Sequence, residues 1–203
     1  MLRRILRTLS RFLFGLPMAK PPSAATVARA VHSAIAADAC ERRITMNAAY
    51  EKLCEHLTNQ NIGFWSHSED LSICTDFRGE VGTYRVFARV DSDSSLFQVF
   101  GHSPMRVPPG ARAAIAETVM RANCGLKLGK FEMDFDEGDL RFQVAQILLE
   151  DDLEEATIQR LIGTTISMLD IYLPAVLSVI YGNELPKDAV SHAEPGRAVS
   201  GEN

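Results

Sequence analysis

Hydrophobic and polar positions change period several times along the chain. Met46, Tyr50, Leu53, Cys54 and Leu57 recur at helical spacing and predict a first core helix from about Thr45. Asn59, Asn61 and Gly63 stop it, since asparagine and glycine tolerate the left-handed backbone that ends helices. The period then drops to two. Leu71, Ile73, Thr75 and Phe77 alternate with Ser72, Cys74 and Asp76, and Tyr84, Val86, Ala88 and Val90 alternate with Arg85, Phe87 and Arg89. With Leu96 to Phe100 these segments predict three antiparallel strands, because the loops between them are short.

Pro108, Pro109 and Gly110 interrupt the pattern, and Ile115, Thr118, Val119, Ala122 and Leu126 mark a second helix closing at Gly125 or Gly129. Phe131, Met133 and Phe135 then oppose Leu140, Phe142 and Val144 across the turn Asp136-Glu137-Gly138-Asp139, a hairpin signal. The last apolar stripe runs from Leu153 to Ile180, preceded by acids that suit the positive end of a helix dipole and interrupted by Pro174, which predicts a kink near Asp170 or Ile171. The predicted order is αβββαββα: an α+β fold with a five-stranded antiparallel sheet over residues 45–184. Residues 185–203 are polar enough to predict a disordered tail.

Composition adds little for the body and much for the N-terminus. At 203 residues with 46% hydrophobic content the chain can bury one core. The net charge of −5 hides a partition: residues 1–37 hold six basic residues and no acid, whereas the remainder holds 15 basic and 26 acidic residues. Within residues 1–44, Leu2, Ile5, Leu6, Leu9, Phe12, Leu13 and Leu16 fall on one helical face, and Arg3, Arg4, Arg7 and Arg11 on the other, until Pro17 stops the run. Such a helix can lie in a membrane interface, with Leu2, Leu9 and Phe12 among acyl chains and Arg3, Arg4, Arg7 and Arg11 on anionic phosphates. The same pattern also describes an organelle presequence, or a segment that packs on the domain or is disordered. The chain is thus expected to be cytoplasmic, at a membrane surface if the helix anchors it, and in an organelle if the helix is a presequence. No stretch approaches the ~20 uninterrupted apolar residues of a membrane span.

Candidate chemistry fails on spacing. Cys40, Cys54, Cys74 and Cys124 form no C-x-x-C pair and read as reduced thiols. Asp134, Asp136, Glu137 and Asp139 sit in a turn too short for a calcium loop. Cys54 and His56 point apart on their helix, and His67, Cys74 and His102 are scattered. No nucleophile elbow or phosphate loop occurs, and Gly125 to Lys130 follows a helix instead of opening one. No catalytic residue, metal or cofactor is therefore expected. Arg85 and Arg89 flank Phe87 as in a single-stranded nucleic-acid platform, but the acidic body argues for a solvated strand face and against nucleic acid. Phe87, Phe97 and Val99 are the candidate partner-binding residues, because three helices leave part of a two-faced sheet uncovered. A protein partner of unknown identity, or a second copy of the chain, would cover it.

The stretch Arg121-Ala122-Asn123, followed by Gly129-Lys130-Phe131-Glu132-Met133-Asp134, Leu140-Arg141-Phe142 and the closing helix with Asp170 and Pro174, resembles the YbjN family of bacterial sensory transduction regulators. The resemblance spans about residues 45–182. It implies a fold like that of class I type III secretion chaperones, which commonly dimerise and hold partner segments on apolar grooves. It brings no catalytic residues. The expectation is a non-enzymatic, chaperone-like or regulatory protein-binding domain, recruited to a membrane surface by its arm. The alternative is a small-molecule sensor or an unrecognised enzyme with a pocket between sheet and helices.

Overall fold

The structure, a computed structural model, describes residues 48–91, 96–148 and 153–194, all within the unit Arg42–Asn203. The arm expected over 1–44 lies outside the described residues. Helix α1 covers 48–59 and buries Ala49, Tyr50, Leu53 and Leu57. Asn61 then adopts φ 56°, and the Ile62 N–H returns to the Leu57 carbonyl at 2.9 Å, so the asparagine ends the helix as its conformational tolerance predicts.

Strands β1 (Trp65–His67), β2 (Ser72–Arg78), β3 (Thr83–Asp91), β4 (Leu96–His102), β5 (Lys130–Met133) and β6 (Leu140–Ile147) form one antiparallel sheet in the order β1-β2-β3-β4-β6-β5. A 3₁₀ turn (Pro109–Ala111) leads into α2 (Arg112–Asn123), and α3 (Glu155–Tyr181) and α4 (Pro186–Ala193) follow the last strand. The α+β class is as expected. The sheet has six strands instead of five, and the described order is αββββαββαα. The additional strand, β1, has three residues, all exposed, so it offers no in–out alternation to read. Pairing with the outer edge of β2 creates it.

The chain after Gly182 also departs from expectation. Residues 186–193 are helical, with Pro186 at the first helical turn and Ala189 and Val190 buried against α2 and α3. An eight-residue helix is unstable alone. Tertiary burial of its small apolar side supplies what composition does not reveal.

The core lies on one face of the sheet. Ile73, Val86, Ala88, Val99 and Phe142 point into it with Leu161, Leu169 and Tyr172 of α3. Helix α3 continues through Pro174 as one element. By length and apolarity it could cross a membrane, contrary to the reading above, but its buried residues are those packed in this core. At Gly101 a Cβ would lie 2.4 Å from Thr165 Cγ2 and 2.7 Å from Leu169 Cδ1, so glycine sets how closely α3 approaches β4.

Two motif residues fasten helices to the sheet. The Asn123 amide donates to the Phe131 carbonyl (2.9 Å) and accepts from the Phe131 N–H (2.7 Å), closing the edge of β5 as a neighbouring strand would. Asp170 reaches from α3 to the β2–β3 hairpin, accepting hydrogen bonds from the Glu80 N–H (3.0 Å), the Val81 N–H (3.0 Å) and the Tyr84 hydroxyl (2.6 Å). Phe135, expected beside Phe131 and Met133, lies beyond the end of β5 and is exposed.

Candidate functional site

Because side chains alternate across a strand, the sheet has a second face, with its own rows set by register. The central row reads Trp65, Cys74, Phe87, Phe100, Gln143 and Lys130 across the six strands. On one side lie Asp76, Arg85, His102, Arg141 and Glu132, and on the other His67, Ser72, Arg89, Gln98 and Ala145. Among the described residues the helices pack on the opposite, core side. This face carries an aromatic row bordered by charge.

Of the residues singled out from sequence, Phe87 is on this face and half-buried. Phe97 and Val99 are not: both are 0% exposed and point into the core beneath α3, so they are structural and unavailable to a partner. The parity of β4 decides this, because Phe97 and Val99 share a side and Phe100 takes the other. Trp65, 63% exposed, Phe100 and Arg141 are the face residues that sequence reasoning missed. The usable signal was the one-residue offset of Phe100 from Val99. Leu2, Arg3, Arg4, Arg7, Leu9, Arg11 and Phe12 lie outside the described residues.

The polar groups of the face hold one another in place. Arg89 Nε donates to Gln98 Oε1 at 2.8 Å, and its guanidinium lies 5.5 Å from the centre of the Phe100 ring. The Arg141 guanidinium lies 5.1 Å from the same ring and donates to Glu132 Oε2 through Nε (3.0 Å) and Nη2 (2.9 Å). Each cation–ring contact is worth about 0.5–1 kcal/mol at an accessible site. Lys130 also reaches Glu132, at 2.7 Å. Partial burial would raise the Glu132 pKa, but the hydrogen bonds and charges of Lys130 and Arg141 outweigh it and hold the carboxyl below its usual range. Arg85 pairs with Asp76 at 3.2 Å.

His102 Nδ1 lies 3.1 Å from Asp139 Oδ2, and its ring meets Phe87 edge-on at 5.3 Å. With Thr83, Ser103 and Pro104 these groups line a shallow hollow that opens on this face. Among the described residues no hydroxyl or thiol is hydrogen-bonded to His102. The pair therefore lacks the poised nucleophile of a triad.

The acidic turn has a structural job. Asp134 Oδ1 accepts the N–H groups of Asp136 (2.8 Å) and Glu137 (2.7 Å), and the Glu137 and Asp136 amides hold its pKa below the usual carboxylate range. Arg112 closes the turn from outside by donating to the Phe135 and Asp136 carbonyls, each at 2.9 Å. Among the described residues no group of three or more His, Cys, Asp or Glu side chains could hold a metal ion.

Comparison with known proteins follows the same elements. A search of curated proteins finds no match. Among solved structures, the chain is similar to that of YbjN from E. coli, described as "a putative transcription regulator", with a TM-score of 0.46 and 13% identity over 59% of this chain and 86% of that one. Residues 50–178, from α1 to the last turn of α3, match the YbjN family, described as "Putative bacterial sensory transduction regulator". With more than half of its length matched, the chain belongs to the YbjN family.

Proposed function

We propose that this chain is a non-enzymatic regulatory module that holds a protein partner, in chaperone-like fashion, on the helix-free face of its sheet. The observation that carries the reading is the aromatic row itself: exposed Trp65 and half-buried Phe87 and Phe100, bordered by Arg89 and Arg141, on a surface no described helix covers. Tryptophan and arginine are over-represented among residues that dominate binding energy. Strand addition is a poorer mode of binding. Asn123 occupies the outer edge of β5, and β1 at the other edge has only three residues. The face is left as the sheet surface a partner can use. A homodimer through the face is the same reading with a second copy as partner. The basic arm, with Leu2, Leu9 and Phe12 opposite Arg3, Arg4, Arg7 and Arg11, would bring the module to an anionic membrane surface.

A photo-crosslinking phenylalanine analogue at position 87, compared with one at exposed Met120 on α2, tests the binding reading in the native host. Covalent protein adducts from position 87 and none from position 120 are expected. Equal adducts from both, or none from position 87, would refute a face-directed partner. A chain-sized adduct from position 87 would identify the partner as a second copy.

A further inference from the structure

We infer that the outer side of α3 is a contact through which two copies of the chain pair, antiparallel, about a twofold axis at Ser167, with their sheet faces left open on the far sides. The inference does not depend on the face-binding reading above. Helix α3 holds a stretch apolar enough to cross a membrane, yet only 44% of that stretch is buried within the chain. Among residues 161–181 the sole charge is Asp170, which is turned aside to the β2–β3 hairpin. The positions left exposed are Gly163, Ser167, Ile171, Pro174 and Tyr181. A helix facing water ordinarily carries charge on its outer side, as α1 does with Glu51, Lys52 and Glu55.

Charge and shape identify the occupant. Residues 38–203 hold 15 basic and 26 acidic residues, so copies of this body repel one another, and an uncharged side is where they meet at least cost. Gly163, Ser167 and Ile171 make one i, i+4 row, the kind of row that packs helices at their commonest crossing angle. Nothing lies within 4 Å of where a Gly163 Cβ would be, so that position is an open notch, and Ile171, 41% exposed, is a knob eight residues on. A twofold at Ser167 lays each Ile171 over the other copy's Gly163, and the same contact forms twice. The border agrees. Exposed Arg160 lies toward one end, and Asp170 with exposed Glu80 beside it lies toward the other, so antiparallel packing brings opposite charges together where parallel packing would align like ones. A lipid surface fits less well, because interfacial helices set large apolar side chains beside lysine and arginine, whereas this side has glycine and serine at its centre and acids at its border. The helix surface from Gly163 to Tyr181 is about 27 Å long and about 10 Å wide. That is well below the roughly 800 Å² per partner of a standard interface, so the dimer is reversible.

Sedimentation velocity of the full chain, from low to high micromolar concentration, tests this. A mass that rises from one chain toward two is expected. Gly163→Glu and Ile171→Lys should each weaken self-association at least about tenfold. The double variant should recover most of it, because the new charges lie about 12 Å apart along one helix and can pair only between antiparallel copies. Gly163→Leu guards against misfolding as the cause of any loss: it should raise Tm, since glycine is a poor helix former and the space is open, while reducing association by filling the notch. A chain that stays monomeric, or a double variant no better than the single ones, would overturn the inference. Unaltered association of the single variants, with a chain-sized adduct from position 87, would place the pairing on the sheet face and overturn it too. Flotation of the wild type, and not of Gly163→Glu, with phosphatidylcholine vesicles would assign this side of α3 to lipid instead.

Discussion

Asp170→Asn changes one side-chain atom and tests what fastens the β2–β3 hairpin to α3. In the wild type, Oδ1 accepts the Val81 N–H and the Tyr84 hydroxyl, and Oδ2 accepts the Glu80 N–H. An asparagine can keep its oxygen toward Val81 and Tyr84, but its NH₂ then faces the Glu80 N–H, donor against donor. One bond is lost and two lose their ionic partner. Hydrogen bonds to charged groups are worth about 1.5–3 kcal/mol each, so the expected net loss is about 2–3 kcal/mol, or roughly 4–12 °C in Tm for a domain of this size. The pH dependence separates this account from simple misfit. Burial would raise the Asp170 pKa, but the Tyr84, Val81 and Glu80 donors lower it below the usual range. A depressed carboxylate contributes stability that is complete above its unfolded-state pKa and is lost as pH falls through its folded-state value. Urea unfolding of wild type and variant should therefore differ fully at neutral pH and converge on acidification. Burial, with the Asp170 hydrogen bond and charge, pushes the Tyr84 hydroxyl pKa up, so it remains a donor throughout. A neutral-pH difference below about 0.5 kcal/mol, or one that persists unchanged into acid, would refute the reasoning.

Asn123→Ala removes both bonds to Phe131 and opens the edge of β5, so a loss of about 1–3 kcal/mol in urea unfolding and concentration-dependent association in gel filtration are expected. Phe97→Ala should cost about 3–5 kcal/mol of stability, because the ring is fully buried, whereas Phe100→Ala should cost only about 1–2 kcal/mol, the worth of its two cation–ring contacts, and weaken crosslinking from position 87. Deleting residues 1–20 should abolish co-sedimentation with anionic liposomes; equal sedimentation of the shortened chain would exclude the arm as an anchor.

Periodicity alone located five of the six strands and the core stripes of α1, α2 and α3, because burial on one side imposes a period of 2.0 or 3.6 whatever the tertiary partner. The acidic turn was legible as a hairpin for a local reason: Asp134 caps it with its own carboxylate and Gly138 supplies φ 74°. The partition into a basic arm and an acidic body is equally a property of sequence. Tertiary structure decided the rest. Strand β1 is too short to carry a pattern and exists by pairing with β2, and α4 is held by burial of Ala189 and Val190 against the preceding α3 and the sequence-distant α2. The candidate site belongs to this second group. Phe87, Phe100, Arg89 and Arg141 come from three strands and meet only through register, while the choice between Phe97 and Phe100 turned on which side of β4 the long helix packs. A strand's alternation separates two sides, but only the helix that covers one of them determines which side remains open to a partner.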